Sequence, residues 1–214
     1  MVDRDWLDWH RAYDAPDSVL SRRLAVVSDR VRDALDALPP GPLRVVSLCA
    51  GQGRDLIGVL RTHPRRADVT ARLVELDPRN AAAARALADA AGLDRVEVRV
   101  GDAALIDHYA DLAPADLVLV CGVFGNISEA DIERTIGHCA ALTAAGGFLV
   151  WTRHREPPDL VPTVCGWFDR HGFALRWLSD PAEDFGVGLH RRTREPAPLT
   201  PGAHMFTFDR AYSG

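Results

Sequence analysis

The chain has 214 residues, of which 47% are hydrophobic and 26% are charged, and its formal net charge is −5. These proportions suit one compact α/β domain and argue against a disordered or fibrous chain. No stretch of the sequence forms a basic stripe, so we expect no nucleic-acid partner.

The cysteines give no sign of a disulfide framework or a zinc site. Cys49, Cys121, Cys139 and Cys165 lie far apart, without a CxxC pair or clustered histidines. We expect reduced thiols in a cytoplasmic protein. No apolar run reaches ~18 residues and no basic start precedes an apolar core, so neither a membrane span nor a signal peptide is predicted.

The first forty residues predict helix with a turn at Asp14–Asp17. In the segment Ser18–Leu38, apolar residues recur every three or four positions and form a one-sided stripe. Pro39–Pro42 ends this helix. We therefore predict a helical cap over residues 1–40, followed by a main region over residues 41–214 of the same structural domain.

Strands and helices alternate after the cap. The predicted strands are Leu43–Leu48, Val69–Leu76, Val96–Val100, Asp116–Cys121 and Gly147–Thr152. The predicted helices are Arg54–Thr62, Pro78–Ala91, Glu129–Ala141 and Pro158–His171. The tail predicts two or three further strands, in FALRWLSD, FGVGLHRRT and MFTFDR. This order predicts a mostly parallel sheet with an antiparallel hairpin at its carboxyl-terminal end.

Ligands of such sheets bind beyond the carboxyl ends of the strands, so the candidate residues follow each strand. After the first strand, Gly51 and Gly53 permit positive φ and close approach of a ligand. Glu75, about 22 residues further on, can accept hydrogen bonds from a ribose diol, with Asp77 as a rival. Asp102 can accept a hydrogen bond from an adenine amine, or it can cap the next helix.

Together these features resemble the class I S-adenosylmethionine-dependent methyltransferases, over Leu43–Trp151. The resemblance implies a Rossmann-like, doubly wound, seven-stranded sheet with S-adenosyl-L-methionine as cofactor and S-adenosyl-L-homocysteine as product. We expect no metal, because no acidic cluster in the sequence has metal-ligand spacing. It assigns the glycine loop to methionine and sugar, Glu75 to ribose and Asp102 to adenine. The full set of implied cofactor residues is Ser47, Cys49, Ala50, Gly51, Gly53, Asp55, Glu75, Leu76, Gly101, Asp102, Ala103, Cys121, Gly122 and Val123.

The glycine loop departs from the family pattern at its start. Ser47 and Cys49 stand where the family commonly has an acidic residue and a further glycine, and Asp55 is a possible substitute for the acid. Arg54, the loop's one cationic residue, is expected to point away. Leu56 stands where a dinucleotide fold needs a third glycine, which disfavours an NAD-dependent oxidoreductase.

Acceptor-side candidates follow the fourth and fifth strands. Phe124 is a candidate wall beside the transferred methyl group, and it fits a plain core position equally well. His154 is a candidate general base because imidazole titrates near neutral pH, and His190 is a second one. Arg153 is a candidate partner for a substrate carboxylate.

The amino-terminal helix carries Trp9, His10 and Tyr13 on one face. This face either closes over the donor and shapes the acceptor pocket or anchors the helix to the sheet. In the first case His10 and Tyr13 are candidate catalytic residues and Trp9 is a substrate contact. The same aromatic face is a candidate homodimer contact.

The sequence thus predicts a cytoplasmic methyltransferase that acts by in-line displacement on an O, N or C atom of a small molecule or peptide. No membrane partner is expected. The alternative is a non-catalytic S-adenosylmethionine-binding protein that regulates or scaffolds a partner.

Overall fold

The structure is a computed structural model that describes Tyr13, Ala15 and residues 18–208. The candidates Trp9 and His10 lie outside the described residues. The helices are α1 (Val19–Ala37), α2 (Arg54–Leu60), α3 (Pro78–Ala90), α4 (Glu129–Leu142) and α5 (Val161–Arg170). The strands are β1 (Leu43–Leu48), β2 (Val69–Glu75), β3 (Val96–Val100), β4 (Ala115–Val120), β5 (Thr143–His154), β6 (Phe173–Leu178) and β7 (Phe185–Arg192).

The seven strands form one sheet in the order β3-β2-β1-β4-β5-β7-β6. Strands β1 to β5 run parallel, whereas β7 pairs antiparallel with both β5 and β6. The predicted Rossmann-like fold, with its antiparallel terminal hairpin, is confirmed. The order reverses between β1 and β4, which opens a crevice at their carboxyl ends.

The sheet separates two apolar layers, because alternate residues of a strand face opposite sides. In β4, Leu117 and Leu119 join the layer that holds α1, α2 and α3. Val118 and Val120 join the layer that holds α4 and α5. Burial on both faces explains why the central strands read as continuous apolar runs.

Three elements differ from the sequence-based predictions by more than two residues at an end or over their length. β5 begins at Thr143, because pairing with β4 extends the strand through residues of low β propensity. α5 begins at Val161, whose amide donates to Asp159 Oδ1 at 2.9 Å. Of the two or three strands predicted in the tail, two form, and the described part of MFTFDR makes only an isolated bridge from Phe208 to Ile127. This segment crosses the strand ends instead of joining the sheet, and burial of Met205 and Phe206 in the core holds it there.

The described part of the chain contains no helix that is both long and apolar enough to cross a lipid bilayer. The four cysteines are free thiols, and Cys139 is fully buried.

Candidate active site

A cavity of about 340 Å³ lies at the carboxyl ends of β1, β2 and β3 and beside the loop after β4. Parallel pairing brings these ends together although their residues are far apart in sequence. The sequence-derived candidates that line the cavity are Tyr13, Ser47, Cys49, Ala50, Gly51, Asp55, Glu75, Leu76, Asp102, Ala103, Cys121 and Gly122. We call this space the donor cavity.

The loop after β1 is built from left-handed residues. Cys49, Gly51 and Gly53 have φ angles of 49°, 55° and 66°. The amide of Gly51 donates to Glu75 Oε2 at 2.8 Å, so the loop and β2 are fixed to each other. Gly53 does not line the cavity, since a Cβ there would lie 2.7 Å from side chains of α2 and β2. Its lack of a side chain serves close helix–strand packing.

Glu75 presents a carboxylate whose orientation is set by the backbone. Its Oε1 accepts from the amide of Asp77 and its Oε2 from that of Gly51, both at 2.8 Å. A carboxylate has about four lone-pair sites, so two remain for ligand hydroxyls. The rival Asp77 also lines the cavity, but it caps α3 by accepting from the amide of Arg79 at 2.8 Å. Its hydrogen bonds with Arg79 hold the pKa of Asp77 below its usual range.

Asp102 lies in the loop after β3 and does not cap the next helix, whose N-cap position is Leu105. It lines the cavity, and its Oδ1 accepts from the amide of Ala104 at 2.9 Å. Its Oδ2 lies 2.9 Å from Nε2 of His204. Gly101 lies outside the cavity lining, and a Cβ there would stand 2.7 Å from the imidazole of His108.

Opposite charges line the donor cavity where it borders α1 and the β4 loop. Burial raises the pKa of Asp55. The charge of Arg23 and a hydrogen bond with the thiol of Cys121 lower it. Arg23 donates to the hydroxyl of Tyr13 at 3.2 Å. Burial also raises the pKa of Tyr13, so its phenol stays protonated at neutral pH. Tyr13 is therefore placed as a hydrogen-bonding group of the donor cavity.

A second cavity of about 710 Å³ adjoins the first and shares Arg23, Gly122 and Thr152 with it. Arg153 and His154 line this second cavity. Burial, and then the charge of Arg153, lower the pKa of His154, so the imidazole is neutral at neutral pH. A Cβ at position 125 would lie 2.8 Å from this ring, so the imidazole occupies space that only Gly125 leaves open.

Three candidates lie in the core and line neither cavity. Val123 is fully buried, and Phe124 packs against Trp151 and Phe168 at centroid distances of 6.0 and 6.2 Å. Of the two positions that the sequence left open for Phe124, the structure therefore favours the one in the core. His190 is fully buried and accepts from Trp151 Nε1 at 3.1 Å. Burial lowers the pKa of His190 to about 3, so it does not serve as a base at neutral pH.

Several cavity residues were not singled out from the sequence, among them Arg23, Asn80 and Phe208. Arg54, which was expected to point away, also lines the cavity and donates to Gln52 Oε1 at 2.9 Å. Gln52 in turn donates to Asn80 Oδ1 at 3.2 Å, whereas the buried Nδ2 of Asn80 has no partner among the described residues. The position of Asn80 in the first turn of α3, soon after Glu75, was the available signal.

The donor cavity fits an adenosyl ligand on three observations. Its volume lies within the range of small-molecule sites. At Gly122 a Cβ would meet no protein atom within 4 Å, so this position leaves cavity space open. The unpartnered amide of Asn80 is a buried donor whose hydrogen bond a ligand can supply.

The arrangement has a match among known protein families. A family model described as "Methyltransferase domain" matches residues 46–149, which carry β1 to β4 and the donor-cavity loops. This segment, just under half of the chain, matches the class I S-adenosylmethionine-dependent methyltransferase family that the sequence resembles. The resemblance drawn from the sequence is confirmed. No curated protein sequence matches this chain.

Solved structures share the fold of this chain. An O-methyltransferase family protein from Burkholderia thailandensis is 22% identical with a TM-score of 0.64, covering 84% of this chain and 58% of that one. An O-methyltransferase family 2 protein from Planctomyces limnophilus in complex with apigenin is 20% identical with a TM-score of 0.61, covering 81% and 60%. The [4+2]-cyclase SpnF is 16% identical with a TM-score of 0.58, covering 84% and 82%. The chain thus spans about three fifths of the first two proteins' length.

Proposed function

We propose that this chain transfers the methyl group of S-adenosyl-L-methionine to an O, N or C atom of a small molecule or peptide. The observation that carries the proposal is the junction of the two cavities at Gly122 and Thr152. The first cavity has the oriented carboxylate of Glu75 for a sugar, and the second has a neutral imidazole. The shared wall is where donor and acceptor meet.

The donor, when bound, supplies an electrophilic methyl group on a sulfonium. Glu75 accepts hydrogen bonds from the ribose hydroxyls, and Asp102 accepts one from the adenine amine beside Ala103. The opposite charges of Asp55 and Arg23 complement the ammonium and carboxylate groups of the methionine part. Asp55 thus replaces the acid that Ser47 does not provide.

On the acceptor side, His154 receives a proton from an oxygen or amine nucleophile, because its lowered pKa keeps a neutral imidazole available. Arg153 is the proposed partner of an acceptor carboxylate, which its place in the lining of the same cavity supports. The remaining contribution is alignment, since in-line displacement needs reacting atoms held in near-attack geometry in a dry site.

Calorimetric titration tests the donor assignment. We expect micromolar binding of S-adenosylmethionine and S-adenosylhomocysteine, and no binding of NAD. Glu75→Ala and Asp102→Ala should each cost about 1–3 kcal/mol of binding free energy, since each removes hydrogen bonds to a sheltered ligand. Asp94→Ala, an exposed acid before the start of β3, is the matched control. If Glu75→Ala and Asp102→Ala both bound the ligands as tightly as wild type, the assignment of the donor site would be wrong.

Transfer of a labelled methyl group to a panel of alcohols, phenols, amines and peptides distinguishes an enzyme from a binding protein. With any accepted substrate that must lose a proton, His154→Gln should slow turnover at unchanged affinity for S-adenosylhomocysteine, because the base lies outside the donor cavity. Donor binding without transfer across the panel would favour the non-catalytic alternative. Equal turnover of wild type and His154→Gln with a phenol would remove His154 as the base.

A further inference from the structure

The chain returns to the donor cavity after β7. The segment His204–Phe208, here called the tail segment, crosses the strand ends from the β3 loop to the β4 loop. Its backbone is paired at the β3 loop, where Met205 N donates to Ala104 O at 2.8 Å. At its far end Phe208 bridges Ile127, which follows β4. The tail segment therefore spans two loops that border the donor cavity.

The tail segment is held firmly in this position. Met205 and Phe206 are 0% and 1% exposed and belong to the core layer on the α4 side of the sheet. The carbonyl of Met205 accepts from Arg134 Nε at 3.0 Å and from Thr135 Oγ1 at 3.1 Å. The amide of Thr207 donates to Asp131 Oδ2 at 2.8 Å. Buried side chains and several hydrogen bonds thus fix the residues between His204 and Phe208.

Both ends of the tail segment reach residues of the donor cavity. Nε2 of His204 lies 2.9 Å from Oδ2 of Asp102. Phe208 lines the cavity, and its ring is perpendicular to that of Phe206 at a centroid distance of 5.5 Å. Leu76, which is 65% exposed, lines the same cavity. Apolar side chains from β2 and from the tail segment therefore lie in one cavity with the carboxylate of Asp102.

We propose that the tail segment completes the adenine end of the donor site, with Phe208 packing on the base and His204 positioning Asp102. This inference rests on the proposed function. Exposed apolar surface on Leu76 and Phe208 suits the flat face of a purine, and base–aromatic contact is tolerant of base identity. Ala104 and His204 use two of about four lone-pair sites on Asp102, which leaves sites for the exocyclic amine.

The experiment compares the dissociation constants of S-adenosylhomocysteine and its inosine analogue, whose base has a carbonyl oxygen in place of the amine. We expect wild type to prefer the adenosyl ligand. Phe208→Ala should weaken both ligands by about tenfold and leave their ratio unchanged, whereas Phe208→Tyr should bind both like wild type. If the alanine variant does not fold, Phe208→Leu replaces it in this comparison, because leucine keeps apolar volume without an aromatic face.

His204 has a different expected signature, because a positioning residue acts through Asp102. His204→Ala should reduce the preference for the adenosyl over the inosyl ligand by about threefold or more, because the Asp102 carboxylate loses the hydrogen bond that orients it. His204→Gln should restore the preference, since its amide nitrogen can donate to Asp102. Leu175→Ala is the control, because Leu175 is 48% exposed on β6 and does not line the cavity.

The outcomes separate the inference from the proposed function. If wild type binds neither ligand, the proposed function fails and this inference fails with it. If wild type binds and Glu75→Ala weakens binding, while folded Phe208 and His204 variants keep wild-type affinity and ligand ratio, the inference alone is overturned. Thermal unfolding of each variant establishes that it is folded.

Discussion

At the scale of single residues, the unusual feature is the conformation of Cys49. The family resemblance marked it as a departure, because a glycine is common there. The structure shows the physical reason for that preference, since Cys49 has a φ of 49°, in the left-handed region. A residue with a Cβ is disfavoured there by about 1–2 kcal/mol. The loop keeps its shape at this cost because the amide of Ala50 donates to the carbonyl of Val74 at 3.0 Å.

Substitutions at Cys49 should separate backbone strain from packing. We expect Cys49→Gly to change the free energy of unfolding by less than about 1 kcal/mol, because relief of strain offsets lost packing and greater freedom of the unfolded chain. Cys49→Val should lower it by about 2 kcal/mol, since a β-branched residue is poorly tolerated at positive φ. Urea denaturation measures both values. A valine variant as stable as wild type would contradict the assignment of strain.

At the scale of elements, the carboxyl end of α1 is tied to the loop before β2 by one side chain. The guanidinium of Arg65 donates to the carbonyls of Leu35 and Leu38, each at 2.8 Å. It also donates to Pro39 at 2.8 Å and to Gly41 at 3.0 Å. These contacts satisfy carbonyls that a helix end leaves unpaired. They also fix α1, which carries Arg23 to both cavities.

Arg65→Lys should therefore destabilise the protein although it keeps the charge. One ammonium cannot reproduce the planar fork that reaches four carbonyls, so we expect a loss of about 1–3 kcal/mol in the free energy of unfolding. Arg32→Lys is the matched control, because its pair with Asp29 lies on the exposed face of α1. We expect a change below about 0.5 kcal/mol there. Equal stability of the two variants would show that the Arg65 contacts contribute nothing specific.

At the scale of the whole molecule, burial of histidine links stability to pH. His190 is fully buried in the core, and burial lowers its pKa from about 6.5 to about 3. Below pH 6.5 the unfolded chain takes up a proton that folded His190 does not bind. Burial also lowers the pKa values of His138, His154 and His171, which act in the same direction.

The free energy of unfolding should therefore decline as the pH falls from 7 to 5. His190 contributes up to about 1.4 kcal/mol per pH unit once the unfolded chain is protonated. His190→Gln removes this titration and keeps an acceptor for the Trp151 indole, so its profile should be flatter over the same range. Urea denaturation at several pH values measures the two slopes. Parallel profiles would show that His190 titrates alike in both states.

Much of the fold was predictable because its signals are local. The strands Leu43–Leu48 and Val96–Val100 have the predicted bounds, since apolar runs and flanking Gly and Pro mark them within a few residues. Glu75 and Asp102 were identifiable because Glu75 ends β2 and Asp102 lies two residues beyond the end of β3. Phe124 was ambiguous, because a residue after a strand can face either the ligand or the core.

The sequence by itself determined the alternation of strands and helices, and with it the edge where a ligand binds, because both follow from short-range periodicity. Only the tertiary structure decided which distant side chains meet at that edge. His204 reaches Asp102 across 102 residues, and α1 brings Arg23 to the cavity that holds Glu75. Such contacts depend on how whole elements pack and where the tail segment crosses, and no local pattern encodes that geometry.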